Sequence, residues 1–385
     1  MTATRVLPRR PSAVRGLELV VVAALAGCGS AAPAPAPPSP APTTPDAAPA
    51  APTTRAGCDG ARLPRPPAPS DDLATRVGVR TVTAGELTVE VWYPARPTAP
   101  APTRYDLRAA MPTAVAAAIP DAAEPWLTCP CTRDAAVDVD AGPYPIVVFL
   151  HGAASFRAQS ARLAARWAAH GFVVIAPDLP GAGLRAALGE GGGLPFTTPA
   201  AALDLALTAS ADDPLEFIRP QLGRRAAVIG HSLGAMLANS LAERPEVDLV
   251  IGLAPGLIAP DGEPRLIVAG DRDAITSVAR LRATHGTLTN AELVVVPGAD
   301  HLSFSDLCEA GAAHGGPLAA ARHFGVAVPE ALIALVADAC VGPDATGAAI
   351  ADVTSAALDR ALACAAEASV AAVATARGLE FHPAR

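Results

Sequence analysis

The dominant pattern along the chain is a series of short apolar runs separated by stretches of helical spacing. Pro145 to Leu150, PIVVFL, is apolar without a break. Such a run predicts a central strand covered on both faces. Phe172 to Ala176, Ala226 to Ile229, Val247 to Leu253, Leu266 to Ala269 and Leu293 to Val296 repeat it. Between them, Leu163 and Trp167 with neighbouring alanines predict a helix that ends at His170-Gly171. Further helices are predicted around Ala200 to Ala209, Pro214 to Gln221, Ala235 to Ala242 and Thr276 to Thr284. Strand, helix and strand within about 30 residues require a parallel pair. Upstream, Val77 to Ala84 and Leu87 to Pro94 alternate as a hairpin, with Gly85-Glu86 at its turn. Downstream, Ala348 to Ala376 reads as one long helix with Val353, Ala357, Leu358, Ala361 and Leu362 on its apolar face. The expected fold class is therefore α/β: a mostly parallel sheet, an antiparallel hairpin before it, and helices on both faces.

Two stretches interrupt this rhythm. Residues 95–143 form a long insertion rich in Pro and Ala, with a short helix expected around Ala109 to Ile119. Residues 179–199 are glycine-rich, including Gly191-Gly192-Gly193, and read as a loop at a site mouth. Insertions of this length carry function or cover a site. No P-loop lysine accompanies the glycines, because the chain contains no lysine at all and its 29 basic residues are all arginine.

The first residues have a different character. Arg5, Arg9, Arg10 and Arg15 precede an apolar core, Leu17 to Ala26, too short to span a bilayer. Leu25-Ala26-Gly27-Cys28 resembles a bacterial lipobox, which implies lipidation at Cys28 and a lipoprotein-type signal peptide over residues 1–28; Glu18 inside the apolar core departs from the pattern. An ordinary secretory signal is the alternative, and either implies export. Residues 29–70 read as an extended Pro/Ala-rich linker that cannot bury a core. Residues 71–385 then suit one α/β domain, held at the cell envelope by a lipid anchor.

Net charge of −8 and the absence of a basic, aromatic-interleaved run argue against nucleic-acid binding. Six further cysteines in an exported domain allow 15 disulfide connectivities. Cys308 and Cys340 bracket one C-terminal stretch and are the favoured pair. Cys129-Pro130-Cys131 reads as two cysteines bonded to different partners. No metal or cofactor motif is present, so none is expected.

The chemistry lies at the carboxyl ends of the apolar runs. Ala226 to Ile229 leads into Gly230-His231-Ser232-Leu233-Gly234 and then a helical pattern. Strand, G-x-S-x-G and helix make a nucleophile elbow, in which a serine stands exposed on a tight turn. In a chain with 32 glycines the pentapeptide alone is a weak signal. An acid and a histidine in order make it stronger. Gly270-Asp271-Arg272-Asp273 follows the next apolar run but one, and Pro297-Gly298-Ala299-Asp300-His301 follows the one after that. Ser232, Asp273 and His301 are separated by 41 and 28 residues. Asp273 is preferred to Asp271 because it lies one loop turn further out, where it can bend back to His301. The strand ending Leu253-Ala254-Pro255-Gly256 offers no competing acid, and Asp300 reads as a turn or surface carboxylate. His231 reads as packed beside the serine, and His151 as a brace for the loop after Leu150. His170, His285, His314, His323 and His382 read as loop or surface residues.

With these residues in place, VGVRTVTAGELTVEVWYPA, YPIVVFLHGAASFRAQS, HGFVVIAPD, IGHSLGA, GDRD and GADHLSF together resemble the α/β-hydrolase superfamily. The likeness is to dienelactone-hydrolase-like and platelet-activating-factor-acetylhydrolase-like serine esterases, with polyester hydrolases and cutinase-like enzymes as relatives. It spans roughly Val77 to Cys308. It implies oxyanion-hole N–H groups at Ala153 and Leu233, and hydrolysis of a small-molecule or lipid ester through an acyl-enzyme. Ala153 departs from the aromatic that the cutinases carry there, which weighs against polyester cleavage. Serine in place of the cysteine of dienelactone hydrolases points to ordinary esters. A thioesterase or peptidase using the same triad, and an inactive binding protein on the same scaffold, stay open at this level.

Overall fold

The computed structural model describes residues 73–193, 196–258, 265–336, 340 and 345–385. The stretches read as a signal peptide (residues 1–28) and a linker (residues 29–70), with Cys28 and Cys58, lie outside the described residues.

Eleven strands form one sheet. They are β1 (Val77–Ala84), β2 (Leu87–Pro94), β3 (Pro102–Asp106), β4 (Trp126–Arg133), β5 (Tyr144–Leu150), β6 (Val173–Pro177), β7 (Leu222–His231), β8 (Val247–Leu253), β9 (Arg265–Gly270), β10 (Ala291–Val296) and β11 (Glu380–His382). Their order across the sheet is β11-β10-β9-β8-β7-β5-β6-β2-β1-β4-β3. The run from β6 through β5 to β10 is parallel throughout. The β1–β2 hairpin is antiparallel and joins β6 antiparallel through β2.

Strand β5 shows why its sequence is apolar at every position. Val147 and Phe149 face a core with Leu163, Trp167, Val353 and Leu358. Ile146 and Val148 face a second core with Leu203, Leu237 and Leu241. Successive side chains of a strand point to opposite faces, so a strand between two helical layers can carry no polar side. The parallel strands all end at one rim, and the loops after β5, β7, β9 and β10 meet there.

Two expectations about this region are corrected. Residues 95–143 are more than an insertion with a helix: β3 and β4 pair antiparallel, and β4 pairs parallel with β1, so the insertion extends the sheet. Its helix is a single short stretch, Thr113–Ala117. Cys129 and Cys131 are bonded to each other rather than to separate partners. Both lie on β4 and both are fully buried. Residues two apart on a strand share a face, and their Cα atoms, 5.2 Å apart, are within disulfide reach. Cys308 and Cys340 are bonded as the sequence suggested.

The long C-terminal helix is broken into Ala345–Ala361 and Val370–Arg377. The Arg225 guanidinium accepts the role of a cap, donating to the carbonyls of Ala361 at 2.6 Å and Leu362 at 3.2 Å. Cys364 takes a positive φ of 52°, and Ser369 caps the second helix through Ala372 N–H. Alanine-rich sequence favours helix but cannot reveal a guanidinium arriving from β7. Pro214 to Gln221 is likewise turns and a short 3-10 segment at Arg219–Gln221, where Arg219 binds Asp213 and the carbonyls of Leu205 and Ala206.

Candidate active site

Ser232 follows β7 and immediately precedes the helix Leu233–Ala238. Its backbone sits at φ 54° and ψ −114°, a conformation that a residue with a side chain adopts only under local constraint. The two flanking glycines supply that constraint. A Cβ at Gly230 would lie 2.2 Å from the Gly234 carbonyl carbon, and one at Gly234 would lie 2.1 Å from the Leu150 oxygen. Strand and helix therefore pass too closely for any other residue. Ser232 N–H donates to Leu253 O at 2.9 Å, pinning the turn to β8.

Asp273 and His301 are brought together. His301 Nδ1 lies 2.8 Å from Asp273 Oδ2, and both side chains are almost wholly buried. Asp273 Oδ1 also accepts from the N–H groups of Ile275 and Thr276, each at 2.8 Å, and Oδ2 accepts from Thr276 Oγ1 at 2.5 Å. Burial pushes the Asp273 carboxyl up, but the His301 hydrogen bond and charge, with the Thr276 donors, hold it below the ordinary carboxylate value. An ionised carboxylate only accepts, so His301 must carry its proton on Nδ1 and leave Nε2 as a base.

The competing acid is elsewhere. Asp271 is exposed, and its Oδ1 accepts from Gly298 N–H at 2.6 Å. Asp300 is buried rather than on the surface. It caps the 3-10 turn His301–Phe304, accepting from Leu302 N–H and Ser303 N–H at 3.0 Å while Ser303 Oγ accepts from Asp300 N–H. This box fixes the backbone that carries His301. His285 is also buried, with Nε2 2.9 Å from Ala291 O, and belongs to the packing of β10 rather than to the surface.

The loop after β5 carries Gly152, Ala153 and Ala154. Ala154 takes a positive φ of 55° and donates to Ala182 O at 2.8 Å. The N–H groups of Ala153 and of Leu233, at the start of the helix after Ser232, have no acceptor among the described residues. Two free donors at a helix start and a tight loop suit a developing oxyanion. His151 is fully buried: Nδ1 lies 2.8 Å from Gly152 O, and Nε2 accepts from Leu179 N–H at 3.0 Å. Burial lowers its pKa, so it stays neutral and donates through Nδ1.

Gln159 was not legible as a site residue. Its side-chain Oε1 accepts from Gly152 N–H at 3.0 Å, while its Nε2 lies 3.0 Å from His231 Nδ1. His231 Nε2 in turn lies 3.0 Å from the backbone oxygen of His301. A carbonyl only accepts, so His231 donates from Nε2 and accepts at Nδ1 from the Gln159 amide. Burial first, and the neighbouring His301 second, push the His231 pKa down to about 3, in keeping with a neutral ring. One amide and one imidazole thus join the loop after β5 to the loop after β10. A glutamine on a polar-looking stretch, SFRAQS, carries no pattern that announces this.

Arg157 secures the same loop from the other side. Its Nε donates to Glu90 Oε2 at 3.2 Å, its Nη1 to Asp178 Oδ2 at 2.6 Å, and its backbone N–H to Asp178 Oδ1 at 2.9 Å. Glu90 on β2 is fully buried and also accepts from Thr81, Tyr105 and Arg133. No group of three or more His, Cys, Asp or Glu side chains among the described residues could hold a metal ion. None of their helices is long and apolar enough to cross a membrane.

Comparison with known proteins points to the same fold. The model of the alpha/beta hydrolase family matches residues 147–282, which include Ser232 and Asp273. The model of platelet-activating factor acetylhydrolase, isoform II, matches residues 112–179, which include the loop after β5. A ferulic acid esterase from Streptomyces cinnamoneus superimposes with a TM-score of 0.53 at 18% identity. That match covers 77% of this chain and 92% of the esterase, and at such identity it shows a shared fold. No curated protein sequence matches the chain.

Proposed function

The chain belongs to the α/β-hydrolase superfamily, among its serine-esterase-like members, and from that premise we propose that it cleaves carboxylic esters through an acyl-enzyme on Ser232. The observation that carries the reading is the buried His301–Asp273 pair at 2.8 Å, set at the same rim as a serine on a constrained elbow. His301 Nε2 takes the proton of Ser232 Oγ as the oxygen attacks the ester carbonyl. Asp273 keeps the imidazole in the required tautomer and stabilises its cation. The N–H groups of Ala153 and Leu233 hold the tetrahedral oxyanion, each worth about 3 kcal/mol of barrier. His301 returns the proton to the leaving alcohol, and water then resolves the acyl-enzyme by the same steps in reverse. No metal or cofactor is called for in this scheme.

Both protein names found by comparison, an acetylhydrolase and an esterase, describe ester-cleaving enzymes, which supports esters over thioesters or peptides. Export, with a lipid anchor at Cys28 and a Pro/Ala-rich linker to the domain, places the activity at a bacterial cell envelope. The test is labelling of the purified protein by a fluorophosphonate probe, with hydrolysis of p-nitrophenyl acetate measured in parallel. Labelling and turnover are expected, and both are expected to vanish in Ser232→Ala. An unlabelled, inactive wild type would return the binding-protein reading. Mass spectrometry of membrane-extracted protein, wild type against Cys28→Ala, tests the anchor.

A further inference from the structure

An apolar cavity of about 150 Å³ adjoins the proposed site. Its lining includes Ala154, next in sequence to Ala153, and Leu302, next in sequence to His301. One wall comes from the insertion, with Met111 and Val115, and the other from the C-terminal segment, with Leu318 and Leu332. Every side chain lining it is apolar, and glycine contributes the remainder. The cavity is therefore lined from the insertion, from Leu184 and Leu188 of the glycine-rich stretch and from the C-terminal segment, and through Ala154 and Leu302 it reaches the sequence neighbours of Ala153 and His301.

We propose that this cavity binds the acyl group of the substrate and selects an unbranched, unhydroxylated acyl chain of about six carbons. This rests on the esterase reading above and adds the substrate class to it. The size follows from volume: a dry apolar cavity of about 150 Å³ holds a benzene ring, which is six carbons. The chemistry follows from the lining, because a hydroxyl placed there would lose its water and find no side-chain partner. The assignment to the acyl side follows from the order of events. The acyl group stays bonded to Ser232 while the alcohol leaves and water takes its place. An apolar cavity suits the part that remains bonded, whereas the part that exchanges must be reached by water.

The test is kcat/KM for p-nitrophenyl esters from acetate to dodecanoate, below their micelle concentrations, on the folded wild type. Each methylene buried contributes about 0.8 kcal/mol, so kcat/KM is expected to rise roughly fourfold per added carbon up to hexanoate. It should then fall for decanoate and dodecanoate. Val115→Trp, which fills the cavity, should lower the hexanoate-to-acetate ratio at least tenfold. Met111→Ala, which enlarges it, should move the optimum to longer chains. Because each is a ratio within one protein, partial misfolding does not imitate it. Acetate cleavage with no rise toward hexanoate, or an unchanged ratio in Val115→Trp, overturns the inference and leaves the esterase reading standing. No cleavage of any ester overturns both.

Discussion

The imidazole of His231 donates to the backbone carbonyl of His301 across 3.0 Å, so the residue before the candidate nucleophile holds the loop of the candidate base. The ring is 2% exposed and neutral. His231→Leu keeps much of the volume but removes the donor to the His301 carbonyl and the acceptor of one Gln159 amide N–H, while the amide keeps its bond to Ser160 Oγ at 3.2 Å. Leaving one buried partner unsatisfied costs about 1–3 kcal/mol. The expected result is a five- to hundredfold fall in kcat with KM little changed, read from p-nitrophenyl ester kinetics. Gln159→Leu should lower kcat over a similar range, since Gly152 N–H then loses its acceptor.

His231 also gives a pH dependence with a definite sign. Its folded pKa is depressed to about 3, against about 6.5 in an unfolded chain. The unfolded state therefore binds the proton first as pH falls. Stability from this group is fully present above pH 6.5 and is lost progressively down to pH 3, at up to about 1.4 kcal/mol per pH unit. Urea unfolding from pH 7 to pH 4 should show a shallower decline in His231→Leu than in the wild type. Equal slopes would mean that the ring is protonated in the fold.

Asp273 and Asp271 separate cleanly by substitution. In Asp273→Asn the amide can present its N–H to His301 Nδ1, which moves the imidazole proton to Nε2 and removes the base. Loss of the correct tautomer in a serine triad costs about 10⁴ in kcat. Asp271→Asn gives up only part of an exposed hydrogen bond to Gly298 and should stay within about threefold of wild type, the scale of a surface change. A large loss in Asp271→Asn with a mild one in Asp273→Asn would reverse the assignment.

The contrast between these residues and Gln159 shows what could be read in advance. The parallel strands were legible because a strand between two helical layers must be apolar throughout, as at Val147 and Val148. Ser232, Asp273 and His301 could be singled out as candidates because each follows such a strand in a fixed order, and the structure brings Asp273 and His301 into contact. Gln159 and Arg157, from one loop, and Glu90, from β2, act through long-range side-chain contacts, and no local spacing reports a contact made over 67 or 72 residues. The sheet extension by β3 and β4 was hidden for a related reason. Pro130 sits inside the strand, and in the fold Leu127, Cys129 and Cys131 share its buried face while the Cys129–Cys131 bond crosslinks that face.

Arg157 offers a test of the outer brace. Its guanidinium bridges the fully buried Glu90 and the half-exposed Asp178, and its backbone belongs to the stretch that follows β5 and Ala153. Arg157→Ala leaves Glu90 with Arg133 as its one remaining cation. Removing one partner of a buried ionic group costs about 3–5 kcal/mol when nothing replaces it, and Arg133 should hold the loss near 2 kcal/mol. A thermal melt measures this. Activity should fall as well, because residues 151–157 lose a tether, whereas a stable but fully active variant would mean that the loop is held by His151 and Gln159 alone.

The Cys308–Cys340 bond closes a 32-residue span that contains Leu318 and Leu332, one wall of the apolar cavity. Such a crosslink limits the unfolded chain, and a loop of this length corresponds to about 3–4 kcal/mol. The double substitution Cys308→Ala with Cys340→Ala should therefore lower the unfolding midpoint in urea. Cys308 lies in the turn Leu307–Glu309, just after the His301–Phe304 turn, but Asp300 caps the His301 turn without the bond. Acetate turnover should consequently change less than hexanoate turnover, since only the longer chain depends on the wall. Measuring both esters in the double variant separates a loosened wall from a loosened catalytic rim: equal losses for the two would place the effect at the rim.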